Sequence, residues 1–140
     1  MASIIRETTI DTSPDEAWDA LADFGRVHER LAAGFVTGCV PEGPDVRTVT
    51  FVGGTTARER LVGVDATARR LAYTVVDGPL GATHHNASAQ VVDDGGRVRF
   101  VWVTDVLPDE LAGTVGDLMD QGLAAIAATL SHPRPPAVPS

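Results

Sequence analysis

The sequence predicts an α+β fold in which a curved, seven-stranded antiparallel sheet wraps around a long C-terminal helix. Six β-rich segments follow one another between residues 35 and 106, and the turns between them are too short for parallel crossovers. A long apolar stripe at helical spacing comes next, and it needs a large surface to pack on. One further β-rich segment opens the chain, directly before a helix start signal.

The first elements are a strand and two short helices. Residues 3–11 are rich in isoleucine and threonine, which favours a strand. Ser13 is a preferred N-cap residue, a proline follows at the first helical position, and Glu16 stands three residues after the cap. Gly25 interrupts the apolar helical pattern that follows. We therefore expect two short helices that end near Gly34.

Six strands should then form the rest of the sheet. Turns rich in glycine, proline and aspartate separate them, and pairs such as Gly53-Gly54 allow the positive φ angles of tight hairpins. The predicted strands are Phe35–Val40, Arg47–Val52, Thr56–Val64, Arg70–Val76, Thr83–Val92 and Arg97–Val106.

The last element is a long helix that begins after Pro108, with acidic residues in its first turn. Its apolar stripe comprises Leu111, Val115, Leu118, Gly122, Ile126 and Leu130, with Met119 beside it. Residues 1–130 should form a single domain. Residues 131–140 contain four prolines, and we expect them to be a disordered tail.

Composition excludes several functions. The formal net charge of -8 disfavours nucleic acid as a partner. No apolar stretch approaches the ~18 residues that span a bilayer, and no secretion signal opens the chain, so we expect a cytoplasmic protein without membrane insertion. A single cysteine, Cys39, rules out an internal disulfide or a cysteine-based metal cluster. Nucleotide-binding and serine-hydrolase motifs are absent from the sequence, so no cofactor is expected.

The sixth predicted strand indicates a cavity. Alternation along it turns His85, Ala87 and Ala89 toward the inner face of the sheet, whereas His84 points outward. Two alanines at mid-strand leave room beneath the helix for a ligand. Alternatively, Met119 or Trp102 fills that space. Because adjacent strand residues diverge, the two histidines should not share a metal ion.

The fourth predicted strand can turn either of two faces inward. One face carries Glu59, and the other carries Arg58 and Arg60. We predict that Glu59 points inward, because two buried guanidinium groups without partners would be costly. With the other inward positions, this predicts a ligand-binding set of Phe51, Leu61, Leu71, Ala87, Ala89, Phe100, Trp102 and Met119.

Several stretches carry a family resemblance: Ile10 to Trp18, Asp23-Phe24, Arg58 to Leu61, Arg70 to Tyr73, Val101-Trp102 and Leu107-Pro108. With them the sequence resembles the START-like helix-grip (SRPBCC) superfamily, in its polyketide cyclase/dehydrase-like branch. The resemblance implies a helix-grip fold and a small hydrophobic ligand, polyketide-like or aromatic. It does not choose between chemistry and binding.

Three inward polar residues could supply chemistry. A carboxylate in an apolar cavity should have a raised pKa, so Glu59 could act as a general acid or base together with His85 or Tyr73. The alternatives are a Glu59 that only hydrogen-bonds Tyr73 or Trp102, and a His85 that satisfies a backbone carbonyl near the cavity mouth.

Two functions follow. The first is a cofactor-independent enzyme that cyclises or dehydrates its ligand through Glu59, Tyr73 and His85. The second is a carrier that shields a lipid-like small molecule without reaction. A third alternative, an interaction domain of the co-chaperone type, would need an exposed apolar patch, and nothing in the sequence indicates one. The oligomeric state is open, with a homodimer as one alternative.

Overall fold

The structure is a computed structural model that describes residues 2–131. Seven strands form a single sheet within this range. They are β1 Ala2–Ile10, β2 Val36–Pro41, β3 Val46–Phe51, β4 Thr56–Asp65, β5 Arg70–Asp77, β6 His84–Asp93 and β7 Val98–Leu107. The predicted tail lies outside the described residues, apart from Ser131.

The sheet order is β1-β7-β6-β5-β4-β3-β2, and every neighbouring pair is antiparallel. From β2 to β7, strands that follow each other in the chain lie side by side, as the short turns require. The first strand then joins the open edge of β7. The α+β fold and the antiparallel seven-stranded sheet predicted from the sequence are confirmed.

Irregular pairings bend the sheet. The register between β4 and β5 shifts twice, once at Val76 on β5 and once at Val62 on β4, where one extra residue has no direct partner. A third shift occurs at Thr37, between β2 and β3. Extra residues of this kind bend a strand and increase its twist, and the concave face they help to form surrounds the C-terminal helix.

The predicted helix start at Ser13 is confirmed. Helix α1 spans Pro14–Ala22, and the backbone N–H of Glu16 donates to Ser13 Oγ at 3.2 Å. The Glu16 side chain accepts from the Thr12 hydroxyl at 3.0 Å. A 3₁₀ turn and helix α2, Val27–Arg30, follow. Helix α1 lies against β6 and α2 against β2, so this segment covers part of the concave face.

Helix α3, Ala112–Leu130, is the predicted long C-terminal helix and packs on β1. Its backbone comes so close that a Cβ at Gly116 would lie 2.7 Å from Nη2 of Arg6. Nε of Arg6 also donates to Asp120 Oδ1 at 3.0 Å. This close approach seats the helix inside the curve of the sheet. No helix within residues 2–131 is long and apolar enough to cross a membrane.

Candidate functional site

An internal cavity of about 420 Å³ lies between the concave face of the sheet, helix α3 and the segment around α2. Most of its wall is apolar. Representative lining residues from the sheet and the helices are Phe35, Val49, Phe51, Leu71, Phe100 and Ile126. Ligand pockets for small organic molecules are commonly about 300–1,000 Å³ and mainly apolar, so the volume and the lining both suit such a ligand.

The cavity opens between three segments. Several lining residues are also exposed to solvent, and they mark its mouth. They lie in the β3–β4 turn (Val52 and Thr55), in the end of β5 and the loop after it (76–79 and 81) and in helix α3 (Leu118 and Gln121). A ligand would therefore enter between two turns and one face of the helix.

A buried ion pair between Arg47 and Glu59 forms part of the wall. The two residues oppose each other directly on β3 and β4. Nε of Arg47 donates to Glu59 Oε1 at 2.9 Å, and Nη2 lies 2.8 Å from the same oxygen. Nη1 donates to the carbonyl oxygen of Phe24 at 2.9 Å. The guanidinium carbon lies 3.7 Å from the centre of the Phe24 ring, close enough for a cation–π contact. Arg47 is thus bound on three sides.

Glu59 points inward as predicted and is only 6% exposed, but its surroundings differ from those expected. The sequence suggested an apolar environment, whereas the carboxylate accepts a charge-assisted hydrogen bond from Nε of Arg47 and lies 2.8 Å from Nη2. Within residues 2–131 it has no hydrogen bond to Tyr73 or Trp102. Arg58 and Arg60 are exposed on the outer face, so the predicted choice of face on β4 is confirmed.

Tyr73 lies between the other two predicted catalytic residues. Glu59 opposes Val75 and Tyr73 opposes Ala87. Tyr73 is therefore the diagonal neighbour of Glu59 on one side and of His85 on the other, at a spacing of about 7–8 Å. Burial raises the pKa of the Tyr73 hydroxyl, and the charge of Glu59 raises it further. The hydroxyl is therefore a neutral hydrogen-bond donor at pH 7.

An unpartnered donor lies beside this hydroxyl. Nε1 of Trp102 is buried and has no hydrogen-bond acceptor among residues 2–131, although the Tyr73 oxygen is close to it. A buried N–H without an acceptor costs free energy, about 1–3 kcal/mol. A ligand oxygen at this position would accept that hydrogen bond.

His85 lines the cavity, whereas His84 is exposed on the outer face, where Nε2 contacts Asn86 Oδ1. The predicted divergence of the two side chains is found. Burial lowers the pKa of His85, and the neighbouring His84 lowers it further, so the imidazole that faces the cavity is neutral at pH 7. Within the described part of the chain, no three His, Cys, Asp or Glu side chains are grouped to hold a metal ion.

Six of the eight residues predicted to bind a ligand line the cavity: Phe51, Leu71, Ala89, Phe100, Trp102 and Met119. Leu61 and Ala87 do not line it, and they pack in the core beside it. The methyl group of Ala87 stands between the larger side chains of its cross-strand partners Tyr73 and Thr104.

Trp102 takes up part of the space that the small residues leave. It opposes Ala89 across β6 and β7, and its ring reaches α3, where a Cβ at Gly122 would lie only 2.8 Å from Cζ3. This is the alternative expected from the sequence, in which Trp102 fills the space beside the small residues instead of leaving a cavity. Even so, the remaining open volume is about 420 Å³.

Arg47 is the main site residue that the sequence reasoning missed. Strand alternation carried the signal, because Arg47 stands four residues before Phe51 and therefore on the same inward face. The β5–β6 loop was also missed as part of the mouth, since nothing in a turn segment shows where it folds over the sheet.

Comparisons with solved structures agree on the fold. The protein XoxI from Bacillus cereus is similar over 93% of this chain and 96% of its own, with 22% identity and a TM-score of 0.82. A protein from Thermobifida fusca is 31% identical over 91% of each chain, with a TM-score of 0.75. Zhui aromatase/cyclase from a Streptomyces species is 18% identical over 91% of this chain and 92% of its own, with a TM-score of 0.74.

Among curated protein sequences, none matches this chain. The family model described as polyketide cyclase / dehydrase and lipid transport matches residues 1–131, nearly the whole sequence. Together with the helix-grip arrangement of sheet and helix, this match shows that the chain belongs to the polyketide cyclase/dehydrase and lipid transport family.

Proposed function

We propose that this protein binds a small, largely apolar organic molecule in the cavity and promotes its cyclisation or dehydration by acid/base chemistry without a cofactor. One observation carries the proposal: polar groups cluster in the wall of an otherwise apolar cavity. Tyr73, His85 and the Trp102 N–H all lie at this cavity. The similarity to Zhui aromatase/cyclase and the family description support the same chemistry.

In this proposal, His85 is the base. The neutral imidazole removes a proton from a carbon next to a ligand carbonyl, and the carbonyl oxygen becomes an enolate. The Tyr73 hydroxyl and the Trp102 N–H donate hydrogen bonds to that oxygen and stabilise its developing charge. In a ring closure, the enolate carbon forms a bond to a second carbonyl carbon, whose oxygen takes up the proton from His85. In a dehydration, a hydroxyl on the adjacent carbon leaves with that proton as water.

Glu59 has a different role here from the acid or base that the sequence suggested. Its carboxylate is held by Arg47 through a hydrogen bond from Nε and an ion pair with Nη2 at 2.8 Å, so its use as an acid or base would first break this pair. We therefore assign proton transfer to His85 and assign to Glu59 the positioning of Arg47. The polyketide-like or aromatic nature of the ligand remains part of the proposal.

A carrier without chemistry is the second candidate, and a specific observation favours it. A catalytic base is usually oriented by a hydrogen bond to its second nitrogen. The His85 imidazole has no hydrogen bond among the described residues, and the Thr74 hydroxyl donates to the backbone oxygen of His85 instead of its ring. Lipid transport is also part of the family description.

Native mass spectrometry of the protein purified from its own host tests the proposal, with extraction and identification of the bound compound. The compound is then returned to wild type, His85→Ala and Tyr73→Phe. We expect conversion by wild type and a loss of turnover of about 10²–10⁴-fold for His85→Ala, with binding retained. His84→Ala, which changes the exposed neighbour on the outer face, is the matched control. Recovery of the compound unchanged by wild type would establish the carrier instead.

Other predictions from the sequence accompany this proposal. The acidic charge supports the absence of a nucleic-acid partner. The cytoplasmic location, the homodimer and the lack of a cofactor stay predictions.

A further inference from the structure

The ionisable side chains of the cavity determine which ligand charge it can accept. Among the described residues, five of this kind line it: Arg47, Glu59, Tyr73, Asp77 and His85. Tyr73 and His85 are neutral at pH 7, because burial disfavours the charged form of each. Asp77 is exposed at the mouth, where water screens its charge. The charge inside the cavity is therefore set by one cation and one anion.

These two charges cancel. Arg47 and Glu59 are 7% and 6% exposed and lie 2.8 Å apart at their nearest atoms. Two guanidinium nitrogens already donate hydrogen bonds, Nε to Glu59 and Nη1 to the Phe24 carbonyl, and Nη2 lies 2.8 Å from Glu59 Oε1. The Phe24 ring covers one face of the guanidinium at 3.7 Å. The guanidinium has five N–H donors, so a second anion would still find a donor, but the positive charge is already balanced by Glu59.

A ligand with a charge of either sign would therefore bind with an electrostatic penalty. An anion would have to displace Glu59 from Arg47 or lie beside a like charge in a region of low dielectric, and a cation would meet Arg47 in the same way. An uncharged ligand avoids both costs. If it carries a carbonyl or hydroxyl oxygen, it can also accept the hydrogen bond that Trp102 Nε1 lacks within residues 2–131.

We infer that the cavity selects an uncharged ligand that carries a hydrogen-bonding oxygen, and that Glu59 sets this selection by neutralising Arg47. The inference rests on the proposed function, because it assumes that the cavity binds a small molecule. It adds the charge class of that molecule and a specificity role for Glu59. The role is electrostatic, and it needs no proton transfer by the carboxylate.

The test compares three compounds that share one ring system and differ in charge: naphthol, naphthoate and naphthylmethylammonium. Isothermal titration calorimetry at pH 7 gives the Kd of each for the full chain. We expect naphthol to bind at least about tenfold more tightly than either ion. Glu59→Gln keeps an oxygen for Arg47 and removes the negative charge. In this variant, naphthoate should gain at least about tenfold relative to naphthol, and naphthylmethylammonium should not gain.

Glu42→Gln is the matched control, because Glu42 makes an exposed ion pair with Arg58 outside the cavity. It should leave all three affinities unchanged. Equal affinities for the three compounds in wild type would overturn the inference, even if Glu59→Gln fails to fold. A folded Glu59→Gln with an unchanged ratio of naphthoate to naphthol would also overturn it. If none of the compounds binds wild type, the proposed ligand-binding function falls, and the charge selection falls with it.

Discussion

Replacing Arg47 by methionine tests how strongly the buried ion pair holds the cavity wall together. Methionine keeps much of the length and the apolar stem of arginine but removes the charge and all donors. Glu59 would then be a buried carboxylate without a partner, since its hydrogen bonds within residues 2–131 come from Arg47. The Phe24 carbonyl oxygen would also lose the hydrogen bond from Nη1.

The expected loss is large. Breaking a buried pair by removing one partner costs about 3–5 kcal/mol, a substantial part of the ~5–15 kcal/mol that stabilises a typical domain. Glu59→Met should cost a similar amount, because it leaves the guanidinium uncompensated. The double variant Arg47→Met/Glu59→Met removes both charges. It should lose only about 1–3 kcal/mol, mainly for the Phe24 oxygen left without its donor.

Urea denaturation at pH 7 measures the four free energies of unfolding, and equal m-values would show that the unfolded states are comparable. Arg58→Met is the control, because Arg58 pairs with Glu42 at 2.7 Å while both side chains are about half exposed. That change should cost no more than about 1 kcal/mol. The reasoning is refuted if Arg47→Met costs less than about 1 kcal/mol, or if the losses of the two single variants add up in the double variant.

Three further predictions follow. Gly122→Ala should destabilise the fold by about 1 kcal/mol, because overpacking against the Trp102 ring at 2.8 Å, at about 1–3 kcal/mol, outweighs the helix propensity gained. A Cβ at Gly113 in the same helix would meet nothing within 4 Å, so Gly113→Ala should be neutral or stabilising by up to about 1 kcal/mol. Thermal melts in which Gly113→Ala is less stable than Gly122→Ala would contradict this account of the packing. Burial lowers the pKa of His85 in the folded protein, so below the ordinary histidine pKa the unfolded chain binds the proton more readily. The contribution of His85 to stability is therefore complete above the ordinary histidine pKa and is lost as pH falls below it. Urea midpoints are compared at pH 7.5 and 5.5, about one unit either side of the ordinary histidine pKa. Wild type should lose more stability between them than His85→Gln does, and equal losses would count against this effect. Ser13→Ala should cost about 0.5–2 kcal/mol through the lost N-cap, as measured by urea denaturation, and no change would mean that water replaces the cap.

The sheet and helices could be predicted because their signals are local. The Ser13 cap, the glycine-containing turns and the apolar stripe of the last helix each act within a few residues, and the structure has elements at all of these places. Alternation along a strand was also sufficient to place Glu59 inward and His84 outward. A period of two residues depends on backbone geometry alone.

The environment of each inward side chain was harder to predict. Glu59 was expected in an apolar pocket, yet Arg47 opposes it from β3. That contact depends on the register between two strands, and a shift of one residue would turn Arg47 to the other face. Likewise, Leu61 and Ala87 have the predicted parity, but whether they reach the cavity depends on the size of their neighbours and on the bulge near Val62.

By itself, the sequence determined the order of the elements, the antiparallel sheet, the inner face of β4 and β6, and the family to which the chain belongs. Only the tertiary structure decided the pairing of Arg47 with Glu59, the position of Trp102 against Gly122 and the volume that stays open. The physical reason is range. Backbone periodicity and capping act between near neighbours in the chain, whereas cavity shape and buried charge depend on side chains brought together from distant strands.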